Sequence, residues 1–233
     1  MRKLFLIILP IMLVFLLALN ITVSTRQVVN YKLKVLKIPL YLKLLDFFDR
    51  DFNYKLLAKN ILGGSKTDKE RVMKLFAWAH ENIRKTPAGF PITDNHVWNI
   101  IVRGYGESDQ ASDVFTTLCN YASIDAFFTW LDIGPLDHHY IPLSFVKIEG
   151  RWSVFDPRGG FYFMNKKNEF AGIDEIAKGD WSAVSLDGSG ASGVFYAEYL
   201  KNLELIKNVG LTRANTQSPI NRLRLEIKKL KFN

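Results

Sequence analysis

The chain has 233 residues, of which 48% are apolar and 13% aromatic, and this suits one domain of ordinary size with appendages. Its 31 Lys and Arg residues outnumber its 23 Asp and Glu residues, which gives a formal charge of +8. Much of the excess lies between Arg26 and Lys59 and between Arg213 and Lys231, with the middle close to balanced. The ends are therefore expected to attract anions such as lipid headgroups or envelope polymers.

Several classes of function are excluded by missing patterns. The sequence has no zinc-finger spacing, no Walker loop and no ribonucleoprotein-like aromatic pattern, so no nucleic-acid partner is expected. The single cysteine, Cys119, excludes an intrachain disulfide. His138 and His139 are adjacent and lack a carboxylate or thiol at metal-ligand spacing. We therefore expect neither a metal nor a cofactor.

The first segment, residues 4–23, is uncharged and almost entirely apolar. A helix of this length spans a hydrocarbon core of ~30 Å, which predicts a membrane anchor over residues 1–24. The alternative is a cleaved signal peptide, but no good cleavage site follows Ala18. Counting flanking cations favours a cytoplasmic domain, whereas a short N-terminal anchor of this kind usually sends the following domain outward. We predict a single-pass membrane protein with an extracytoplasmic domain.

Residues 25–62 form a basic amphipathic region in which lysines alternate with Leu, Val and Phe. Beside a membrane anchor, this juxtamembrane stretch could lie in the lipid interface with its lysines on anionic headgroups. A helix packed on the domain explains the same pattern equally well. Both alternatives stay open from the sequence.

Two helices are expected at the start of the core region, residues 63–185. Thr67 and Glu70 have the spacing of a capping box, and apolar residues follow at one-face spacing. A second amphipathic helix is expected over about 109–122, with Cys119 on its inward stripe. Glycines 104 and 106 precede it in a turn, so Ser108 falls at the N-cap or in the first helical turn.

The pattern then changes to that of strands. Residues 140–148 alternate, Glu149 and Gly150 suit a two-residue hairpin turn, and residues 151–155 form a second strand before Asp156. A further strand is expected over 161–163. Residues 186–233 should hold a Gly/Ser loop, a helix over 196–209 and a basic amphipathic tail over 221–232.

This order of elements suits a catalytic triad. A nucleophile at a helix N-terminus gains from the helix dipole, a histidine accepts its proton, and a carboxylate fixes the tautomer of the histidine. The candidates in chain order are Ser108, His139 and Asp156.

The residues around these candidates resemble those of the transglutaminase-like superfamily. Gly104-Tyr105-Gly106-Glu107-Ser108-Asp109-Gln110 is similar to the bacterial signature Gly-x-Gly-x-Cys-Asp-Gln, whose subset is often associated with surface polysaccharide production. Trp152-Ser153-Val154-Phe155-Asp156-Pro157 is similar to Trp-x-x-x-Asp-Pro, which ends the strand bearing the triad aspartate. The resemblance covers residues 67–157. It implies an α+β fold of papain or transglutaminase-like type, with the nucleophile helix packed on an antiparallel sheet, here preceded by a transmembrane helix.

The nucleophile position departs from the family, because Ser108 stands where the family has cysteine. A histidine and a helix dipole can turn a thiol of pKa ≈ 8.5 into a thiolate, but an alcohol is far more basic. Serine is also a preferred helix cap, which favours Ser108 as a structural cap without a catalytic role.

The histidine position is also displaced. The family has it about eleven residues before the tryptophan, which is Ile141 here, and His139 keeps the strand parity of Ile141. We therefore prefer His139 and keep His138 as the alternative that a bulge near Pro142 would select. A surface loop without a catalytic histidine remains a third reading. Asp156 could likewise belong to an ordinary Asp-Pro turn.

Three functions are consistent with this pattern. The first is a membrane-anchored, catalytically degenerate transglutaminase-like protein that binds a peptide, glycan or partner in the cell envelope. The second is an amidase or acyl transferase that uses Ser108, His139 and Asp156. The third is a scaffold whose basic ends bind anionic lipid or polymer. Gly104, Gly106, Asp109, Gln110 and Trp152 are expected to support the site in either of the first two cases.

Overall fold

The computed structural model describes residues 2–29, 32–91, 94–132, 140–188, 196–200 and 218–231. Helix α1 (Arg2–Leu19) comes first. An antiparallel hairpin follows, made of β1 (Thr22–Val29) and β2 (Lys32–Pro39). Helix α2 (Leu40–Leu62) starts directly after β2.

The membrane-spanning helix predicted over residues 4–23 is wrong. Helix α1 has 18 residues with Pro10 inside it, so at 1.5 Å per residue it is about 27 Å long, less than a hydrocarbon core of ~30 Å. The chain leaves the helix at Leu19 and enters β1 at the β-branched residue Thr22. Within the described ranges, no helix combines the length and the apolar character that crossing a membrane requires. The single-pass membrane localisation predicted from this segment is therefore also wrong.

Helix α2 packs on the domain through its inner face, where Asp51, Tyr54 and Ala58 are buried. The ring of Tyr54 stacks on that of Tyr121 at a centroid distance of 4.8 Å and meets the edge of Trp98 at 5.1 Å. Of the two alternatives for residues 25–62, packing on the domain is the one observed for α2.

Helix α3 (Asp68–Asn82) begins where the sequence predicts. Thr67 caps it, since the Thr67 hydroxyl accepts from the backbone N–H of Glu70 at 3.2 Å and the Glu70 side chain reaches back to the cap. Short strands β3 (Arg84–Lys85) and β4 (Tyr105–Gly106) pair in parallel, and α4 (Val97–Arg103) lies between them. Helix α5 (Ser108–Tyr121) follows, within a residue of the predicted bounds.

A five-stranded antiparallel sheet follows α5, and its strands lie side by side in chain order. The predicted hairpin is present, and its turn residues Glu149 and Gly150 both have positive φ, as a tight hairpin turn requires. The strands are β5 (Ala126–Asp132), β6 (Tyr140–Ile148), β7 (Arg151–Asp156), β8 (Phe161–Met164) and β9 (Ser182–Ser185).

The sheet separates two apolar clusters. On one face Val146, Ile148 and Phe155 pack with the buried residues of α3 and α5. On the other face Leu143, Phe145 and Val154 pack with β8 and two short helices, α6 (Ile173–Ala177) and α7 (Tyr196–Leu200). Helix α8 (Pro219–Lys231) is the last described element. The fold is therefore α+β with α5 against an antiparallel sheet, as predicted for the core. The predicted helix over 196–209 is described only as far as Leu200.

Candidate functional site

The turn that leads into α5 is shaped by Gly104. This residue has φ of 70°, in the left-handed region that favours glycine, and its N–H closes α4 on the carbonyl of Ile100 at 3.0 Å. Glu107 then occupies the N-cap of α5. Ser108 is the first residue of the helix and is half-buried.

The side chain of Gln110 ties this turn together. It is buried, and its Oε1 accepts from Arg103 Nη2 at 2.7 Å and from the backbone N–H of Glu107 at 3.1 Å. Its Nε2 donates to Asn95 Oδ1 at 2.7 Å and to the carbonyl of Asp94 at 3.2 Å. Every polar atom of the amide is thus used inside the protein. The Gln of the predicted signature is architectural here.

Gly106 is explained by the same side chain. A Cβ on Gly106 would lie 2.6 Å from Gln110 Oε1, a distance that real Cβ atoms do not reach. A side chain at this position would therefore displace the amide that joins the turn to residues 94–95. The predicted supporting roles of Gly104 and Gly106 both have a steric basis in the structure.

The hydroxyl of Ser108 does not cap α5. The N-cap position belongs to Glu107, and among the described residues the Ser108 hydroxyl has no hydrogen-bond partner. One turn further along the helix, the buried Ser112 hydroxyl donates to the carbonyl of Pro142 in β6 at 3.4 Å. Since residues four apart share a helix face, Ser108 lies on the face of α5 that is turned toward the start of β6. Asp109, the next residue, is half-buried.

Asp156 is buried at the end of β7 and is held by fixed donors. Its Oδ2 accepts from the Tyr196 hydroxyl at 2.6 Å, and its Oδ1 accepts from the backbone N–H of Gly159 at 2.9 Å. Burial raises the pKa of Asp156, while these hydrogen bonds oppose the rise. A Cβ on Gly159 would come within 2.5 Å of Asp156 Oδ2 and 3.0 Å of the Tyr196 hydroxyl. The three groups are thus closely fitted to one another.

Arg158 connects the Asp156 turn to the Ser108 turn. Its guanidinium donates to the carbonyls of Ile83 at 2.9 Å and Glu107 at 3.2 Å, and also to that of Gly106. Burial lowers the pKa of Arg158, and the charges of Glu107 and Asp156 work in the opposite direction. Arg158 therefore links the turn that follows Asp156 to the turn that precedes Ser108.

The candidate histidines, His138 and His139, lie outside the described residues, so the choice between them stays a prediction. Its premise can be examined at Ile141, whose parity His139 shares. Ile141 packs in the cluster on the sheet face opposite α5, and so does Trp152, whose ring meets that of Phe127 at 5.1 Å. The side chain of Ile141 itself therefore lies on the face of the sheet away from α5, the helix that begins with Ser108.

His80 and Cys119 both have structural surroundings. His80 Nδ1 lies 3.0 Å from the carbonyl of Pro157, and its ring fills the space beside Gly160. Cys119 is fully buried, and burial raises the pKa of its thiol, which agrees with a core role. Among the described residues, no group of His, Cys, Asp and Glu side chains could hold a metal ion.

Sequence reasoning missed Arg158, Tyr196, Arg103 and Asp94. Arg158 directly follows the Asp156-Pro157 pair, so an Asp-Pro-Arg run was visible, but nothing in it indicated three backbone carbonyls as partners. Tyr196 lies 40 residues from Asp156, and no local period reports such a contact.

Comparisons with known proteins give similarity in structure only. No family model matches the chain, and no curated protein matches it. Among solved structures, a proposed cysteine protease from Cytophaga hutchinsonii is 17% identical with a TM-score of 0.40, over 58% of this chain and 47% of that one. A proposed protease from Parabacteroides distasonis is 13% identical with a TM-score of 0.39, over 73% of this chain and 40% of that one. A TGase is 9% identical with a TM-score of 0.38, over 58% of this chain and 44% of that one. The chain thus spans less than half the length of each of these structures.

Proposed function

We propose that this chain is a transglutaminase-like protein whose site is catalytically degenerate and binds a peptide, glycan or partner without turning it over. The observation that carries the proposal is the environment of Asp156. In a triad this carboxylate would accept from the histidine and fix its tautomer. Here its oxygens accept from the Tyr196 hydroxyl at 2.6 Å and from the Gly159 N–H at 2.9 Å, inside a buried turn. These fixed donors compete with an imidazole for the same acceptor atoms.

The nucleophile position supports the same proposal. Ser108 replaces the family's cysteine, and an alcohol needs concerted base catalysis where a thiol is activated by ionisation alone. Gly104, Gly106 and Gln110 nevertheless keep the turn in shape. The turn before α5 thus keeps its shape, while the nucleophile position and the surroundings of Asp156 differ from those of a working triad. Such a site suits ligand binding better than catalysis. A link to surface polysaccharide production would make the ligand a glycan or glycan-bound peptide.

A second candidate is a serine-dependent amidase or acyl transferase. The Ser108 hydroxyl favours it, because this group is half-buried at a helix N-terminus and has no hydrogen-bond partner among the described residues. A helix N-terminus stabilises developing negative charge on an attacking oxygen. This candidate requires that His138 or His139 reach the hydroxyl.

The test introduces a thiol at the site and measures its ionisation. Ser108→Cys in a Cys119→Ala background is alkylated with iodoacetamide across pH, alone and combined with His138→Ala or His139→Ala. Ser182→Cys, at an exposed position of β9, supplies the reference thiol with an ordinary pKa near 8.5. We expect any lowering of the Ser108→Cys pKa to survive both histidine substitutions, because the helix N-terminus alone would cause it.

Two outcomes would contradict the degenerate site. One is a thiol pKa that rises when either histidine is removed, which would show a working base. The other is amide hydrolysis or amine transfer by the unmodified protein that disappears in Ser108→Ala. The binding part is tested separately, by asking whether peptide or glycan fragments slow the alkylation of Ser108→Cys. A complete lack of protection by either class would contradict ligand binding at this turn.

A further inference from the structure

A cavity of about 620 Å³ lies apart from the Ser108 turn, between the β1–β2 hairpin, α2 and the segment 94–99. Its volume falls within the range of small-ligand sites, roughly 300–1,000 Å³. Arg26 comes from the hairpin, Asp49 and Arg50 from α2, and Trp98 from the third wall. The cavity is therefore lined by charges of both signs and one large aromatic ring.

Two of the carboxylates in this cavity are already committed to the protein. Asp94 accepts from the backbone N–H of His96 and from Asn99 Nδ2, both at 2.9 Å. Asp46 forms an ion pair with Arg50 Nη1 at 2.8 Å. Asp94 is therefore engaged through both of its oxygens, and Asp46 through one.

The other charged groups of the cavity come from two walls, Arg26 from the hairpin and both Asp49 and Arg50 from α2. Arg26 has no hydrogen bond or ion pair from its guanidinium within the described part of the chain, and the Nε of Arg50 is buried without a partner. Asp49 is exposed and accepts one hydrogen bond, from Asn53 Nδ2 at 3.0 Å. The Arg26 guanidinium thus lines the same cavity as Arg50 and as Asp49, a carboxylate with spare acceptor capacity.

We propose that this cavity binds a small zwitterion, an amino acid or short peptide with free termini. Its carboxylate would pair with Arg26 and Arg50, and its ammonium group with Asp49, while Trp98 covers the apolar part between them. Guanidinium groups match carboxylates in geometry, and charge-assisted hydrogen bonds are the strong ones. A purely anionic ligand would leave Asp49 without a charged partner and a purely cationic ligand would leave Arg26 without one, whereas a dipolar ligand pairs with both.

The cavity is a separate site from the Ser108 turn but is bonded to it. Asn95 lines the cavity and accepts from Gln110 Nε2 at 2.7 Å, and Gln110 lies in the first turn of α5. The proposal does not depend on whether Ser108 is catalytic, because binding is measured directly. Because of this hydrogen bond, a ligand in the cavity would contact Asn95, the residue that holds the Gln110 side chain and with it the turn before α5.

The test is calorimetric titration of the full chain with trialanine, compared with N-acetyl-trialanine and with trialanine amide, each up to about 10 mM, where millimolar affinities are measurable. The free peptide is expected to bind, and each blocked form to bind at least about tenfold more weakly, because each loses a hydrogen bond between charged groups. Arg26→Gln and Asp49→Asn should show similar losses. Both residues are exposed, so the variants are expected to fold. Arg84→Gln, at an exposed residue that does not line the cavity, is the matched control and should bind like the unmodified protein.

The pattern of losses decides the outcome. The proposal is overturned if trialanine does not bind, or if both blocked peptides bind as well as the free one. It is also overturned if only one blocking group matters, because the site would then recognise a single charge. A loss in Arg84→Gln equal to that in Arg26→Gln would show a response to net charge rather than a site.

Discussion

At the scale of single residues, Asp156 is the group whose surroundings say most about the site. It is only 4% exposed, and its oxygens accept from the Tyr196 hydroxyl and the Gly159 N–H. Burial opposes its ionisation, and the two hydrogen bonds compensate in part. Its protonation should therefore be visible in the stability of the whole domain.

The sign of this effect follows from the raised pKa of Asp156. The folded state holds the proton to higher pH than the unfolded chain, whose aspartates have a pKa near 3.9. The stabilising contribution of Asp156 is complete below about pH 3.9 and is lost as pH rises through the folded pKa. When the free energy of unfolding is measured with urea between pH 3 and 8, the Asp156→Asn variant should not show this loss of stability with rising pH. An Asp156→Asn variant with the same pH dependence as the unmodified protein would contradict the assignment.

Tyr196→Phe tests the same carboxylate from the other side. The Tyr196 hydroxyl lowers the pKa of Asp156, so removing it should raise that pKa further and extend the loss of stability to higher pH. The variant should also be destabilised near neutral pH by about 1.5–3 kcal/mol, the range for a hydrogen bond to a charged group. Tyr199→Phe, in the same short helix, is the control for a general effect of losing a tyrosine hydroxyl. Equal pH profiles in the two variants would contradict a specific Tyr196–Asp156 bond.

At the scale of elements, the junction of α4 and α5 is organised by one buried amide. Gln110 joins Arg103 at the end of α4, Glu107 at the cap of α5 and Asn95 in the preceding segment. Arg158 holds the same turn from the side of the sheet. The position of Ser108 is thus set by side chains from both layers of the fold.

Gly106→Ala should disturb this junction. The new Cβ would lie 2.6 Å from Gln110 Oε1 and 3.4 Å from Ile100, so overpacking is expected to cost about 1–3 kcal/mol in the free energy of unfolding. Gly64→Ala is the matched control, because a Cβ there meets nothing within 4 Å and the residue has no positive φ. In a Gln110→Ala background, Gly106→Ala should cost less, since the 2.6 Å contact with the amide oxygen is gone and, of the contacts with residue 110, only the 3.0 Å contact with its Cβ persists. Additive costs in this double-mutant cycle would contradict the explanation.

The local elements were predictable because their signals are local. The Thr67 capping box, the apolar stripe of α5 and the Glu149-Gly150 turn each specify structure within a few residues, and each is observed. The error at the N-terminus has a physical cause as well. Counting apolar residues over 4–23 treated Thr22 and Val23 as part of a helix, although both pair with β2 in an alternating strand.

The candidate site was predictable only in part. The turn and its glycines followed from sequence spacing, and Ser108 was placed correctly at the start of a helix. The Arg158 bonds to Gly106 and Glu107 cross about fifty residues, and the Tyr196 bond crosses 40. Such contacts depend on how layers pack, which no periodic pattern in either segment encodes. The assignment of His138 or His139, and the proposed division at residues 62 and 185, stay predictions.

At the scale of the whole molecule, charge is distributed in three blocks. Residues 1–62 carry ten Lys and Arg against three Asp and Glu, a net +7, and residues 213–233 carry six against one, a net +5. Residues 63–212 carry 15 against 19, a net −4, which accounts for the total of +8. The candidate site therefore lies in an acidic block between two basic ones. An anionic polymer would be attracted to the ends and repelled by the middle.

This asymmetry predicts that the basic ends bind a polyanion independently of the candidate site. Poly-L-glutamate should bind the full chain at low salt and lose affinity steeply between about 50 and 500 mM NaCl, because salt screens exposed charges. Replacing Lys32, Lys34 and Lys37, all exposed in β2, by Gln should weaken binding more than replacing Arg84, Lys85 and Lys147, three exposed cations of the acidic block. Both variants lose three charges, so equal losses would mean that only net charge matters. Binding that also required Ser108 or Asp156 would show that the polymer enters the site.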